Sequence, residues 1–226
     1  MKMMRNLAIT LFLILLSASV IHGQDLSKYR NLSFGMSLAE LSKQVDSQPL
    51  QTRLIHSRPA VILEMTWWPK GTSSASPVQA EPVWQVLFTF YNGELCRILA
   101  TYDRQATQGL TAEDMVQAIS AQYGTAVSPI AEISFPTNEL YRSTEKVIAR
   151  WEDSQYSINL FHSSLLNTFG LVMFSKRLDP LARAATIESI KLEAQEDDAQ
   201  KEIERRGKET DNLGLSRQKN RKTFRP

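Results

Sequence analysis

Cysteine and serine are common nucleophiles in enzymes, and in this chain neither type stands in a catalytic pattern. Cys96 is the single cysteine, and it alternates with Ile98 and Ala100 in a strand-like pattern typical of a buried small residue. Ser163 follows His162, but neighbours on a strand point to opposite faces, and the sequence has no Gly-x-Ser-x-Gly motif. We therefore expect no catalytic residue among them.

Potential metal ligands are sparse as well. After residue 23 the chain has two histidines, His56 in a stretch predicted to be irregular and His162 at a predicted strand end, and their separation is not a metal-ligand spacing. The acidic run 196–198 lacks the regular oxygen ligands and the glycine of a calcium loop. The sequence also has no glycine-rich phosphate-binding motif. It therefore predicts no metal site and no cofactor.

Two adjacent tryptophans, Trp67 and Trp68, are the candidate binding residues. They close a predicted strand, Ala60–Trp68, whose successive side chains alternate between the two faces of a sheet. One ring is expected to enter the core, and the other to lie on an open sheet face near a predicted loop, Lys70–Pro82. Aromatic residues contribute much of the energy at protein interfaces, which favours a partner-binding surface here. The alternative is that both rings are buried.

The first 23 residues predict a cleavable signal peptide. Lys2 and Arg5 precede an apolar run at 7–16, which is too short to span a bilayer, and small residues lead to a cleavage point after Gly23. We therefore expect a periplasmic or secreted protein without a transmembrane span in the mature chain. With one cysteine, such a chain forms no internal disulfide and depends on burial for its stability.

Charge argues against a nucleic-acid-binding body. Cleavage would remove Lys2 and Arg5 from 26 basic residues and none of the 24 acidic residues, which leaves the two totals equal. A mature chain with no net charge lacks the basic excess that nucleic-acid binding needs.

The clearest local pattern is a hairpin. Asn92-Gly93 suits a type I′ turn because both residues tolerate positive φ, and it joins the predicted strands Val83–Tyr91 and Glu94–Tyr102. This turn predicts that Phe90 faces Leu95 and that Val86 faces Leu99.

The order of elements recurs, with repeats at about 29–102 and 103–178. Segments 35–41 and 109–115 share a Gly-x-[Ser/Thr]-x-x-acid-apolar pattern that predicts a capped helix start. We predict an α+β fold in which two helix-plus-three-strand repeats form one antiparallel sheet with both helices on one face. The strands of the first repeat are Ala60–Trp68 and the two hairpin strands, and those of the second are Lys146–Glu152, Tyr156–His162 and Phe169–Ser175.

The segment 29–37, YRNLSFGMS, together with Glu40 and Leu41, resembles the opening of small periplasmic SmpA/OmlA-type domains. Tandem copies of a helix followed by strands also resemble the β-lactamase-inhibitor-protein architecture. The chain differs from the first family in lacking a lipid-anchor cysteine and from the second in lacking disulfides. The resemblance implies a non-catalytic binding or assembly role through analogy of fold.

The C-terminal region has a different composition. Asp179-Pro180 predicts a helix start, and residues 179–206 predict a long, charged helix whose distal half projects into solvent. Residues 207–226 hold six basic and two acidic residues with few apolar ones, which predicts a disordered basic tail. The residues expected to pack on the body are Leu181, Ala184, Ala185, Ile187 and Ile190.

These observations favour an exported, non-enzymatic binding or envelope-assembly module with a protein or cell-envelope partner. Two alternatives remain. One is a cell-envelope hydrolase whose catalytic carboxylates the sequence does not pair, and the other is a structural protein held at the envelope by its basic tail.

Overall fold

A computed structural model describes residues 25–45, 50–69, 82–135, 144–223 and 225. The predicted signal peptide and residues 70–81 of the predicted loop lie outside these ranges. The described chain is α+β, as the sequence predicts. Its elements are β1 (Lys28–Tyr29), β2 (Leu32–Ser33), α1 (Leu38–Gln44), β3 (Leu50–His56), β4 (Ile62–Trp67), β5 (Val83–Tyr91), β6 (Glu94–Tyr102), α2 (Ala112–Tyr123), β7 (Glu132–Ser134), β8 (Thr144–Glu152), β9 (Tyr156–Ser163), β10 (Thr168–Ser175) and α3 (Leu178–Thr223).

Eight strands form one antiparallel sheet in the order β3-β4-β5-β6-β10-β9-β8-β7. Within the described ranges each half contributes a helix followed by four strands, so the expectation of three strands per half was wrong. The strand missed in the first half is β3, which contains His56. Its side chains are mostly exposed at the edge of the sheet, so its sequence lacks the alternating apolar pattern of a half-buried strand. In the second half the missed strand, β7, spans three residues.

The two faces of the sheet have different coverings. Leu41 of α1 and Met115 of α2 join one core cluster with Phe88 and Leu160, which places both helices on the same side, here called the front face. The start of α3 packs on β5, β6 and β10 from the opposite side, here called the back face.

Both predicted helix starts form capping boxes. The Ser37 amide donates to the Glu40 carboxylate at 2.7 Å, and the Thr111 amide donates to the Asp114 carboxylate at 2.8 Å. The hydroxyls of Ser37 and Thr111 in turn accept from the Glu40 and Asp114 amides. Each arrangement satisfies amides that the first turn of a helix leaves without an intrahelical partner.

The Asn92-Gly93 hairpin is confirmed, with φ of 49° and 89° at the two turn residues. Phe90 faces Leu95 as predicted, but Val86 faces Ala100 rather than Leu99. The pairing of β5 with β6 shifts by one residue between Thr89 and Phe90, and this bulge changes the partners of residues 85–89 until a second shift between Val83 and Gln85 restores the register.

The face of α3 that packs on the sheet differs from the predicted one. Among the residues expected to pack, Ala185 is buried, whereas Leu181, Ala184, Ile187 and Ile190 are exposed. The residues that do face the sheet are mostly small or polar: Leu178, Asp179, Ala182, Ala185 and Ser189.

The helix also extends beyond the predicted end at Arg206 and reaches Thr223, so residues 207–223 are helical and not disordered. An ion pair spans the predicted end, because Arg205 contacts Glu209, one turn further along the helix, at 3.4 Å. Arg221 and Lys222 lie in the last turn, where cations interact favourably with the helix dipole.

Gly170 of β10 allows one close contact within the sheet. It lies opposite Phe161 of β9, and a Cβ atom added at Gly170 would stand 2.3 Å from the Phe161 ring. That ring is fully buried and lies 5.2 Å from the ring of Phe135. The ring therefore covers a position where a larger residue does not fit.

We predict that Gly170→Ala lowers the free energy of unfolding by about 1–3 kcal/mol, because the new methyl group forces the Phe161 ring out of its packed position. Urea unfolding of the wild type, Gly170→Ala, Phe161→Leu and the double variant measures this. The smaller leucine side chain at position 161 should leave room for the methyl group, so the loss in the double variant should be less than the sum of the single losses. Additive losses would contradict the overlap.

Candidate functional site

A groove of about 320 Å³ opens on the front face, between α2, the β1–β2 turn and the ends of β5 and β6. Its walls are mostly apolar and aromatic. Among the lining residues are Tyr29, Arg30, Tyr102, Leu110, Ala118 and Tyr123.

Tyr123 anchors one wall of the groove. Its hydroxyl donates to the carbonyl oxygen of Lys28 at 3.2 Å, which ties the last turn of α2 to β1. Burial raises the pKa of Tyr123 to about 12, so the phenol stays protonated and remains a donor at neutral pH. The groove is therefore formed by elements that are fixed to each other before any ligand arrives.

Arg30 links the groove to the predicted binding residue Trp67. Its guanidinium carbon lies 5.3 Å from the ring centre of Tyr29 and 5.6 Å from that of Trp67, within cation–π distance of both. The Trp67 ring also stacks on Phe88 at 6.4 Å. Trp67 is thus half-buried beside the groove, at the rim of the front-face core.

Trp68 follows the last residue of β4 and is half-buried. One ring was expected to enter the core, and Trp67 packs against the core cluster from the rim without being fully buried. Ligand binding by Trp67 and Trp68 stays a prediction. Tyr29 and Tyr102, which form walls of the groove, were not recognisable as binding candidates from the sequence, because they lie in segments far apart along the chain.

A second cluster lies on the back face beneath α3. The Arg97 guanidinium of β6 donates to both Asp179 carboxylate oxygens, at 2.7 Å and 3.2 Å. Arg183, one turn along the helix, contacts the same carboxylate at 3.0 Å. The Asp179 side chain is 2% exposed, so its contact with Arg97 is a buried ion pair. Removal of either partner would leave the other charge uncompensated inside the protein.

Glu64 and Asp179 line a small cavity of about 70 Å³ in this cluster. Burial raises the pKa of Glu64, and Arg53 at 3.5 Å offsets part of the effect. The two arginines occupy both oxygens of Asp179, and the volume suits a few water molecules and not a polymer. This geometry fits a structural cluster.

The remaining sequence candidates are dispersed. Cys96 is fully buried, and burial raises the pKa of its thiol to about 12, which opposes thiolate formation. His162 is exposed and Ser163 is buried, so they point to opposite faces as predicted. His56 is buried, with Nδ1 3.1 Å from Glu193 of α3. Within the described ranges, no group of three or more His, Cys, Asp or Glu side chains could hold a metal ion.

No protein-family model, curated protein or solved structure matches this chain. The resemblance to SmpA/OmlA-type and β-lactamase-inhibitor-protein domains therefore stays a prediction. In the part of the chain that the structure describes, no helix is long and apolar enough to cross a membrane. Function must therefore be argued from the sites themselves.

Loss of the Asp179 carboxylate should strongly destabilise the fold. Asp179→Ala leaves the Arg97 charge buried without its main partner, and breaking such a pair costs about 3–5 kcal/mol. Urea unfolding measures the loss. The matched control is Glu188→Ala, which removes an exposed carboxylate from the same helix and should change stability by less than about 0.5 kcal/mol. Equal effects of the two substitutions would show that the buried pair is unimportant.

The raised pKa of Glu64 predicts a pH-dependent effect. The pKa of Glu64 in the folded protein lies above the ordinary value of 4.5, so the folded protein binds this proton more tightly than the unfolded chain. The stability therefore falls as the pH rises from 4.5 through the folded-state pKa. Glu64→Gln keeps the shape and removes the titration. Its unfolding free energy should exceed that of the wild type at pH 7, and the advantage should shrink as the pH falls towards 4.5. A pH-independent difference would contradict this assignment.

Proposed function

We propose that this protein is an exported, non-enzymatic binding module of the cell envelope, and that the front-face groove receives apolar side chains of a partner protein. The observation that carries the proposal is the groove itself, with aromatic walls and an arginine at its rim. Export rests on the signal-peptide pattern in the first 23 residues.

The composition of the groove suits protein recognition. Tyr, Trp and Arg are the residue types enriched at the energetic centres of protein interfaces, and the groove combines Tyr29 and Tyr102 with Arg30 and the adjacent Trp67. Its volume of about 320 Å³ lies at the lower end of the range for small-molecule sites, which suits one or two apolar side chains.

The walls of the groove are anchored, which favours affinity. Tyr29, Met115, Ile119 and Tyr123 are buried in the front-face core and present their accessible edges to the groove. A partner therefore does not have to order these side chains on binding, and the entropic cost of association is correspondingly smaller.

The interactions of the polar side chains support a non-enzymatic role. Asp179 is held by two arginines, the Cys96 thiol donates to the carbonyl of Thr89 at 3.2 Å, and Glu64 faces a cavity of a few water volumes. Catalysis needs groups that can reach a substrate, and these are committed to the interior.

The proposal is tested at Ala118, an exposed residue of α2 that lines the groove. Ala118→Arg places a long cation across the groove, whereas Ala121→Arg adds the same side chain to an exposed position of the same helix that does not line it. Both variants should fold, as shown by circular dichroism.

Affinity capture from envelope extract with the mature chain, residues 24–226, should yield a partner that Ala121→Arg retains at wild-type level and Ala118→Arg loses by tenfold or more, equivalent to about 1.4 kcal/mol. The purified partner should show the same order of affinities by calorimetry. A partner retained equally by both variants would place binding elsewhere, and hydrolysis of envelope material by the purified chain would overturn the non-enzymatic assignment.

A further inference from the structure

A second recess, here called the polar pocket, has a volume of about 520 Å³. It lies between the connection from β6 to α2 and the turn that joins β9 to β10. Its polar lining residues are Arg104, Gln105, Thr107, Gln108, His162, Asn167 and Thr168. The groove, by contrast, is lined mostly by apolar and aromatic side chains. The polar pocket therefore suits a ligand group that is polar or charged.

The polar pocket and the groove adjoin on the front face. Thr107 and Leu110 line both recesses. Leu171 of the groove and Phe169 of the polar pocket are two positions apart on β10 and join the same front-face core cluster, so they lie about 7 Å apart on one face. His162 lies opposite Phe169 on β9 and points to that face as well. A ligand in the groove can therefore extend into the polar pocket without leaving the front face.

Basic side chains line both recesses. Arg30 lies at the rim of the groove, and Arg104 and His162 are exposed in the polar pocket. No aspartate or glutamate is among the described residues that line either recess. The neighbouring Asp103 does not line the pocket, and its carboxylate accepts from two backbone amides of its own turn, at 2.8 Å and 3.0 Å. The joined recesses are therefore complementary to a ligand that carries a negative charge.

We propose that the partner segment whose apolar side chains fill the groove also carries an acidic residue, and that the polar pocket receives its carboxylate. Arg104 and His162 are the residues that determine this specificity. The Arg104 guanidinium pairs with the charge and donates to the carboxylate, and His162 donates a ring N–H. The inference rests on the function proposed above, because the groove fixes the position of the segment.

The polar pocket is organised before a ligand arrives. Thr168 and Thr107 donate their hydroxyls to backbone carbonyls at the end of β6 and just after it, at 3.0 Å and 2.9 Å. These bonds connect the pocket to the strand end that also forms a wall of the groove. The His162 ring stands edge-on to the buried Phe169 ring, with ring centres 5.1 Å apart. This contact restrains the imidazole, which lowers the entropic cost of binding.

Peptides of defined sequence test the requirement for a carboxylate. The panel consists of short acetylated peptides in which a phenylalanine is followed, at successive spacings, by a glutamate, with glutamine in its place in the matched controls. In nuclear magnetic resonance titrations of the mature chain, residues 24–226, the peptides should shift the amide signals of Ala118 in the groove. The best glutamate peptide should also shift those of His162 and bind roughly threefold or more tightly than its control at low salt, because exposed ion pairs contribute a modest, screened attraction.

Substitutions assign the preference to the polar pocket. Arg104→Glu should reverse it, so that a lysine peptide binds more tightly than the glutamate peptide of the same spacing. His162→Ala should reduce the preference without reversing it. Lys208→Glu makes the same change of net charge at an exposed residue of α3 that lines neither recess, and it should keep the wild-type preference. Ala118→Arg should weaken every peptide, because it obstructs the groove.

Two results would overturn the inference and leave the proposed groove intact. One is equal binding of the glutamate and glutamine peptides at the groove. The other is a glutamate preference that Arg104→Glu leaves unchanged, which would place the carboxylate at Arg30. Acetate or inorganic phosphate that shifts the pocket signals as strongly as the peptides do would assign the pocket to a free anion and also overturn it. A panel that shifts no groove signal would contradict the proposed function itself.

Discussion

The buried contact between Arg97 and Asp179 fixes how the sheet and the C-terminal helix fit together. Arg97 projects from β6, one of the two central strands, and a charge at that depth must be paired within the protein. Asp179 meets this need from the first turn of α3, and Arg183 completes the pairing. The contact therefore sets the rotation of the helix about its own axis and the side chains that it turns towards the sheet.

That rotation explains why small residues of α3 face the sheet while larger ones do not. With Asp179 directed inwards, Ala182, Ala185 and Ser189 follow on the same side and permit a close approach. Leu181 and Ile187 are directed outwards in consequence. Burying Leu181 and Ile187 would require another rotation of the helix, which would have left the Arg97 charge without its carboxylate partner at a cost of several kcal/mol.

The features that the sequence predicted well are controlled by neighbouring residues. The Asn92-Gly93 turn and the two capping boxes depend on spacings of one to three residues, and each forms as expected. The errors arose where distant residues decide. Arg97 and Asp179 are 82 positions apart, and the bulge between Thr89 and Phe90 that shifts the Val86 partner has no turn signal of its own.

The groove was beyond sequence prediction for a similar reason. Tyr29, Tyr102 and Tyr123 come from three separate segments, and it is the sheet that brings them together on one surface. Trp67 was the sequence feature that pointed to this part of the molecule, since an aromatic pair at a strand end suggested a binding surface nearby. Its ring lies at the rim beside Arg30, and the walls of the groove come from residues that carried no such indication.

The groove and the start of α3 lie on opposite faces of the sheet. The groove opens on the front face, whereas α3 starts on the back face and leaves past the β3 edge. A ligand in the groove would therefore not contact the Arg97–Asp179 pair on the back face.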